Sequence, residues 1–363
     1  MHMIKKILGK NILFKNLKPV DLVVLDDGFS NFKFQNFNYH NYNQNNYYVT
    51  IFLESLFEFL TNFFKVGFGK IYFKNALKKL NPKVAIGHEM NKKIFYFKSL
   101  FPNKISICYQ FGYIFDRDEN YYKKNFKNKE VDYYFVYDNR SKKKMSKLIK
   151  SNYIINGSTK INENFNKKKY EKKYDIMFVS RYRSENNKLR NNYDLFLMKI
   201  LSNFCNENKL KLVIALVANR KDKNKGKKFY DKEQNFYAKY LDTIPITSED
   251  SFSLAKRSNL VVCSNSNLGY ELMFAKKKVV FFNSKKDKHN FFKKNLGAFW
   301  YYGDDEEVIK KILEKYINKK NDKLWTKHIF KIDEFSKFYK NDRLYSKNNM
   351  IRKTISKILH ERI

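Results

Sequence analysis

Short apolar runs alternate with amphipathic, helix-periodic segments along most of this chain. A run of four to eight apolar residues bounded by turn residues is typical of a buried strand, whereas apolar residues three and four apart indicate one face of a helix. The apolar runs lie at 19–27, 83–87, 105–109, 131–138, 174–179, 210–217, 260–263 and 278–282. Their alternation with helical segments predicts an α/β fold with parallel, doubly wound sheets.

The order of these elements predicts two domains. One strand–helix series fills the first part of the chain, and a second series begins at Tyr174. Between them, residues 163–173 are charged and without pattern, as in a linker. We therefore expect an N-terminal domain over 1–162, this linker, a C-terminal domain over 174–321 and a basic helical tail over 322–363. A chain of 363 residues is long enough for two domains of ordinary size.

The stretch from Asn259 to Asn283 has the clearest pattern for ligand binding. It reads N-L-V-V-C-S-N-S-N-L-G-Y-E-L-M-F-A-K-K-K-V-V-F-F-N, which predicts a strand, a polar loop, a helix from Tyr270 to Ala275 and a second strand. In such a βαβ unit an anionic ligand binds at the helix N-terminus, because unpaired backbone N–H groups and the helix dipole meet a phosphate there. The side chains that could add donors, and the glycine that would allow close approach, are Ser264, Ser266, Asn267 and Gly269.

Charged residues near strand ends are the other candidates for ligand binding. Glu271 lies one helical step beyond the glycine, where a carboxylate could accept hydrogen bonds from two ribose hydroxyls. The alternative is an ordinary solvated glutamate, which the helix dipole favours in a first turn. Arg181 and Arg183 follow the first strand of the C-terminal domain, where guanidinium groups could neutralise a diphosphate. The alternative is that both arginines are plain surface cations.

In the N-terminal domain, polar residues follow three of the predicted strands. Asp26 and Asp27 end the first strand, at the edge of a parallel sheet where functional residues gather. The alternative is that both aspartates, with Gly28, simply form a turn. The stretch from His88 to Asn91 follows the next strand, and Gln110 to Gly112 follows the one after it.

Several of these segments resemble bacterial surface-carbohydrate biosynthesis proteins, which are sugar transferases of the two-domain GT-B fold. The resemblance covers residues 18–318 and rests on S-N-S-N-L-G-Y-E-L followed by K-K-V-V-F-F, and on L-N-P-K-V-A-I, F-Y-F-K-S-L-F-P and I-S-I-C-Y-Q-F-G-Y. The chain departs from the family pattern at Lys276, which replaces a glycine, and at Cys263, which replaces the first of two paired glutamates. The stretch from His88 to Asn91 replaces an aspartate–asparagine pair.

This resemblance implies two Rossmann-like domains facing a cleft, in a metal-independent glycosyltransferase. A nucleotide-sugar would be the donor substrate, a growing surface polysaccharide or lipid-linked glycan the acceptor, and no cofactor is expected. The expected donor-binding residues are Ser264, Ser266, Asn267, Leu268, Gly269, Tyr270, Glu271, Arg181 and Arg183. The expected catalytic candidates are Glu89, Asp27, His88 and Asp26. The residues expected on the acceptor side of the cleft are Gln110, Gly112 and Asn91.

The same pattern leaves other functions open. A sugar-nucleotide epimerase, a polyol-phosphate transferase and a non-catalytic protein would all share the fold. A nucleic-acid-binding protein is a further alternative, because 74 Lys and Arg against 36 Asp and Glu give a net charge of +38. The lysines are scattered, and Lys, Asn, Ile, Phe and Tyr all have A/T-rich codons, so codon bias is favoured over nucleic-acid binding.

Composition also bears on location and on metals. Three cysteines far apart and histidines without zinc spacing favour a reducing compartment and no metal site. The aromatic segment 51–68 carries Glu54, Glu58 and Lys65, so it is interpreted as a core or interdomain helix, or as a helix on a membrane surface. We expect a cytoplasmic protein, with peripheral contact to the anionic inner face of the membrane as an option.

Overall fold

The computed structural model describes residues 11–26, 37–42, 46–62, 65–114, 119–164, 171–182, 188–217, 226–238, 249–287, 294–297, 299–318, 322–330 and 348–360. These residues form two compact units. The first unit takes in the described parts of Met1–Phe111, Asp118–Lys160 and Asn348–Ile363. The second takes in those of Gly112–Arg117 and Ile161–Lys347.

The first unit is built on parallel strands. In chain order these are β1 (Asn11–Leu13), β2 (Leu22–Val24), β3 (Tyr39–Asn41), β4 (Asn46–Tyr48), β5 (Val84–His88), β6 (Ile105–Tyr109), β7 (Lys129–Val136) and β8 (Ile149–Ile155). Six of them form one sheet in the order β3-β2-β5-β6-β7-β8, with every pairing parallel. The other two, β1 and β4, pair separately and in parallel.

Helices connect these strands, as the hydrophobic pattern predicted. They are α1 (Val49–Thr61), α2 (Phe68–Leu80), α3 (Lys93–Leu100), α4 (Glu119–Phe126) and α5 (Asn139–Met145). Helix α6 (Thr159–Asn164) follows β8, and its residues from Ile161 onward belong to the second unit. The segment 51–68, interpreted as one helix, is instead divided, because α1 ends at Thr61 and α2 begins at Phe68.

The second unit has its own five-stranded parallel sheet. Its strands are β9 (Tyr174–Val179), β10 (Leu212–Ala215), β11 (Ser258–Cys263), β12 (Val279–Asn283) and β13 (Trp300–Tyr302), in the order β10-β9-β11-β12-β13. The helices are α7 (Lys188–Glu207), α8 (Gly226–Ala238), α9 (Ser251–Lys256), α10 (Asn267–Phe274), α11 (Glu306–Ile317) and α12 (Asp322–Phe330). The central strand, β11, is buried along nearly its whole length, as expected for a strand covered on both faces.

The last helix, α13 (Asn349–His360), belongs to the first unit. Its apolar residues recur three and four apart and pack against the buried strands of the six-stranded sheet. They are Ile351, Ile355, Ile358 and Leu359. Asn348 orients the helix, because its side chain accepts a hydrogen bond from Asn156 Nδ2 (3.1 Å) and donates one to the Thr159 carbonyl (2.9 Å). The expected single tail over 322–363 is therefore divided between the two units.

The prediction of an α/β fold with two parallel-sheet, Rossmann-like domains is confirmed. The expected cleft between the domains stays a prediction. Among the described residues, no helix is both long and apolar enough to cross a bilayer.

Candidate functional sites in the two units

Helix α10, which follows the central strand of the second unit, begins at Asn267 and not at Tyr270 as predicted. Ser266 precedes the first turn with an extended backbone (φ −119°, ψ 133°), and the helix runs eight residues from there. The sequence pattern predicts Gly269 at the end of a loop, but in the structure it lies inside the helix. The backbone N–H groups nearest the helix start are therefore those of Asn267 and Leu268.

Gly269 is required by helix–strand packing. A Cβ atom at this position would lie 2.4 Å from Cys263 Sγ and 2.8 Å from Phe281 Cε1. Real side chains do not approach so closely, so α10 lies against β11 and β12 only because residue 269 has no side chain. The predicted close approach of Gly269 to a ligand stays a prediction.

We expect Gly269→Ala to lower the free energy of unfolding by about 3 kcal/mol, the upper end of the usual cost of overpacking. Denaturant unfolding of the purified variant measures the loss. Gly69→Ala is the matched control, because Gly69 also lies in a first helical turn but a methyl group there would meet no neighbouring group within 4 Å. Equal stability of the two variants would contradict the packing argument.

A buried ion-pair network joins the end of β9 to α7. Arg181 Nε lies 3.4 Å from Asp194 Oδ1 and Arg181 Nη1 lies 3.0 Å from Asp287 Oδ2, with Arg181 only 8% exposed. The backbone N–H of Arg181 and the hydroxyl of Ser264 also donate to Asp194, at 2.8 and 3.3 Å. Burial raises the pKa of Asp194, and the charge of Arg181 offsets part of that rise. Two carboxylates, those of Asp194 and Asp287, therefore already balance the charge of the Arg181 guanidinium. The predicted contact of Arg181 with a diphosphate stays a prediction.

A second buried carboxylate, Glu233 on α8, links the ends of β9 and β10. It accepts hydrogen bonds from the Ser180 hydroxyl (2.6 Å) and from the Val217 backbone N–H (3.0 and 3.1 Å to its two oxygens). Tyr237 donates to the same Ser180 hydroxyl at 2.8 Å. Sequence reasoning missed Glu233, Tyr237 and Asp194, because each lies within a helix whose local pattern is simply amphipathic.

A cavity of about 260 Å³ opens beside Arg181. Its walls come from α7 and from the segments that follow β9, β12 and β13. The lining residues are Arg181, Asn192, Tyr193, Phe196, Ser284, Lys286, Asp287 and Asp304. The sequence did not indicate this cavity, because four separate segments contribute to it.

Glu271 is buried, with 3% of its surface exposed. The alternative of an ordinary solvated glutamate is therefore excluded. Its place in the second turn of α10 follows from the earlier start of that helix. A buried carboxyl group is either compensated by polar or charged neighbours or becomes protonated, so Glu271 differs from a first-turn glutamate that simply faces solvent.

The remaining predicted donor residues differ widely in exposure. Tyr270 belongs to the core, since its ring lies 4.8 Å from that of Phe281 and stacks on Tyr113 at 6.1 Å. Asn267 is exposed, and Ser266 and Leu268 are half-buried. Arg183 lies outside the described residues.

Gly112, expected on the acceptor side of the N-terminal domain, belongs to the second unit. A Cβ atom there would lie 3.3 Å from Asn267 Nδ2. The structure thus brings together one predicted acceptor residue and one predicted donor residue.

In the first unit, Asp26 connects the carboxyl ends of three neighbouring strands. Its Oδ2 accepts the backbone N–H of His88 at 2.8 Å, and its Oδ1 accepts the hydroxyl of Tyr109 at 2.5 Å. Gly87 allows this approach, because a Cβ atom there would lie 3.3 Å from Asp26 Oδ2. Asp26 therefore links the end of β2 to the ends of β5 and β6, which a residue that only forms a turn would not do. Its neighbour Asp27 lies outside the described residues.

The imidazole of His88 is held in one tautomer. Its Nδ1 lies 3.1 Å from the backbone nitrogen of Asn91, and because a backbone N–H can only donate, Nδ1 is the acceptor. Burial lowers the pKa of His88; Asp26 raises it and Lys160 lowers it further. The neutral ring therefore carries its proton on Nε2 and presents a hydrogen-bond donor. Asn91 in turn donates from its side chain to the Leu25 carbonyl at 2.7 Å.

Glu89 is fully buried, and its two carboxyl oxygens face the backbone N–H of Phe111 at 3.1 and 2.9 Å. Burial raises the pKa of Glu89 to about 8, so the carboxyl group is largely protonated at neutral pH. Gln110 is also fully buried, and its Oε1 accepts the backbone N–H of Tyr137 at 2.8 Å. Gln110 thus links the ends of β6 and β7.

We expect Glu89→Gln to flatten the pH dependence of stability. Glu89 binds its proton more tightly in the folded protein, where its pKa is about 8, than at the ordinary value of 4.5. Between these values the folded state holds more protons than the unfolded chain, so the wild-type free energy of unfolding falls as pH rises. Urea titrations at about pH 5 and about pH 9 measure the fall. Glu130→Gln, at an exposed site of the same unit, is the control, and equal slopes in wild type and Glu89→Gln would show that Glu89 is ionised when folded.

Among the described residues, no three His, Cys, Asp or Glu side chains are grouped as metal ligands.

Two parallel-sheet units of this kind define an α/β protein of the GT-B-like class. Residues 107–355, well over half of the chain, match the family model described as "putative O-antigen biosynthesis protein". The chain belongs to this family. The resemblance to surface-carbohydrate biosynthesis proteins is thereby confirmed.

Solved structures with the same fold support this class. The wall teichoic acid polymerase TagF, in a structure with CDPG, matches with a TM-score of 0.53 and 12% identity, covering 96% of this chain and 90% of that one. The UDP-GlcNAc 2-epimerase of Methanocaldococcus jannaschii matches with a TM-score of 0.50 and 12% identity, covering 92% and 99%. At these identities the likeness shows the fold alone. No curated protein sequence matches the chain.

Proposed function

We propose that this protein is a glycosyltransferase that moves a sugar from a nucleotide-activated donor to a growing surface polysaccharide or lipid-linked glycan. Membership of an O-antigen biosynthesis family supports a surface carbohydrate as the product. Proteins of the same fold that act on UDP-GlcNAc or were solved with CDPG support a nucleotide-activated donor. The observation that carries the proposal is the burial of Glu271 in the helix after the central strand of the second unit.

The donor would bind to the second unit, around the start of α10. The Glu271 carboxylate would accept the ribose hydroxyls, and the backbone N–H groups of Asn267 and Leu268 would meet the diphosphate. Arg181 is linked to the loop before α10 through Asp194, which accepts hydrogen bonds from both Arg181 and Ser264. Although two carboxylates balance its charge, Arg181 would add fixed donors in a site of low dielectric. Helix dipole and side chains would thus stabilise the charge of the leaving diphosphate.

The first unit would supply the acid–base groups. Glu89 is a weak candidate for the catalytic base, because a carboxyl group protonated at neutral pH takes up no further proton. His88 presents Nε2–H, which suits donation to an oxygen that gains negative charge in the transition state. Asp26, at the junction of β2, β5 and β6, is then our candidate for receiving the acceptor hydroxyl proton as the anomeric carbon takes oxocarbenium character.

The leaving nucleotide tests this proposal. A panel of nucleotide-sugars and CDP-glycerol is incubated with the protein and with lipid-linked glycan acceptors, and the products are separated by mass. Glycosyl transfer releases a nucleoside diphosphate only when an acceptor is present. Polyol-phosphate transfer, the alternative that likeness to the teichoic acid polymerase favours, releases a nucleoside monophosphate. An epimerase isomerises the donor without any acceptor, and either of these last two results would overturn the proposal.

A further inference from the structure

Helix α1 presents an uncovered apolar stripe. Leu53, Phe57 and Leu60 are 58%, 72% and 52% exposed, and their spacing of four and three residues places them on one face of the helix. The opposite face, with Ile51 and Ser55, is buried. Large apolar side chains that follow one another along a helix in this way mark an interaction surface, whereas isolated ones need no explanation.

Strand β1 extends the stripe beyond the start of α1. Ile12 is 56% exposed and Phe14 is 90% exposed. The strand pairs with β4, which leads directly into α1, and the Thr50 hydroxyl lies 3.4 Å from Asn16 Oδ1. Eight large apolar residues are exposed in the described part of the chain, and six of them, including Val66, fall within residues 12–66. We call Ile12, Phe14, Leu53, Phe57, Leu60 and Val66 the apolar face.

The acidic residues of α1 are neutralised on the side that meets α2. Glu54 pairs with Lys79 at 3.0 Å, and Glu58 pairs with Lys74. No other acidic residue occurs in the described segments 11–18, 46–62 and 65–70. Both carboxylates of α1 are therefore balanced by lysines of α2 within the unit.

The apolar face has a positive border. Exposed lysines follow Phe14 and flank Val66; they are Lys15, Lys18, Lys65 and Lys70. Apolar side chains bordered by lysines complement an anionic lipid surface, where the rings enter the headgroup region and the ammonium groups meet phosphates. A second copy of the chain fits less well, because two such faces would bring eight lysines of like charge together.

We propose that the apolar face docks the protein onto an anionic lipid bilayer. The inference is independent of the proposed function, since it uses neither α10 nor His88. The docked helix lies in the plane of the membrane, with Phe57 and Phe14 in the interface and α2 on the side away from the lipid.

Vesicle sedimentation of the full-length protein tests the docking. We expect it to bind vesicles of phosphatidylcholine and phosphatidylglycerol in equal parts, and to bind pure phosphatidylcholine poorly. The double variant Phe14→Ser with Phe57→Ser should weaken binding to the anionic vesicles by about tenfold or more, because it removes two interfacial aromatic rings without changing the net charge. Tyr121→Ser, at another exposed aromatic residue of the same unit (45% exposed), is the control and should bind like wild type.

Two results would overturn the proposal. Unchanged binding of the double variant would mean that net charge alone attracts the protein to the vesicles. Absence of vesicle binding, together with a dimer in sedimentation velocity that the double variant dissociates, would assign the apolar face to a second copy. Circular dichroism of each variant tests whether it is folded. Phe14 and Phe57 are both exposed, so we expect the double variant to fold.

Discussion

Replacing His88 by alanine is expected to reduce turnover by about 100- to 1,000-fold, the usual effect of removing one donor to a transition-state oxyanion. Binding of the nucleotide donor should persist, because the proposed donor contacts lie in the second unit. Single-turnover transfer, with the donor found in the nucleotide-sugar panel, measures the first effect. Calorimetric titration of that donor measures the second.

A pair of variants separates hydrogen-bond donation from base catalysis. Glutamine places an amide near the position of the imidazole Nε2, so His88→Gln should recover part of the lost rate if Nε2–H acts as a donor. His88→Asn places its amide near Nδ1 and should recover none. Equal, full loss in both variants would favour a base, and unchanged rates in all three would remove His88 from the chemistry.

The pH profile gives a second test of His88. The pKa of the imidazole lies below its ordinary value of 6.5. If neutral His88 is the active form, the wild-type rate should be constant on the alkaline side of this pKa and fall as the ring becomes protonated. That acidic limb should be missing from the residual rate of His88→Gln.

Replacing Glu271 by alanine is expected to weaken donor binding by about 1–3 kcal/mol, the scale of lost hydrogen bonds to a charged group, or roughly 5- to 150-fold in the dissociation constant. Since Glu271 is buried, the alanine variant is also expected to unfold more easily. Glu271→Gln keeps the size of the side chain and removes its negative charge. It therefore separates weaker donor binding due to the lost charge from weaker binding due to a less stable fold. Calorimetry with a panel of nucleoside diphosphates measures the binding.

The chain offers a matched control for Glu271. Glu307 also lies near the start of a helix in the second unit, and 73% of its side chain is exposed. Glu307→Ala should leave nucleotide affinity unchanged. If Glu271→Gln binds every nucleoside diphosphate as tightly as wild type, the burial of Glu271 has a structural cause and the donor site lies elsewhere.

Parts of both candidate sites were predictable because their signals are local. A carboxylate after an apolar run marks the end of a strand wherever the sheet forms, and Asp26 indeed lies two residues beyond the end of β2. The start of α10 was not predictable in the same way. Glycine is common in loops, and only the proximity of Cys263 and Phe281 shows that Gly269 serves helix packing.

The order of apolar and polar residues along short segments was enough to predict the alternation of buried strands and helices and the two parallel-sheet units. The family was indicated separately, by the resemblance of several short motifs. The chemistry of the side chains, in contrast, depends on how the chain folds in three dimensions. The proton on Glu89, the tautomer of His88 and the pairing of Arg181 with Asp194 and Asp287 depend on desolvation and on hydrogen bonds with distant partners. Arg181 and Asp287 are 106 residues apart in the sequence, so no local sequence pattern could predict that they form an ion pair.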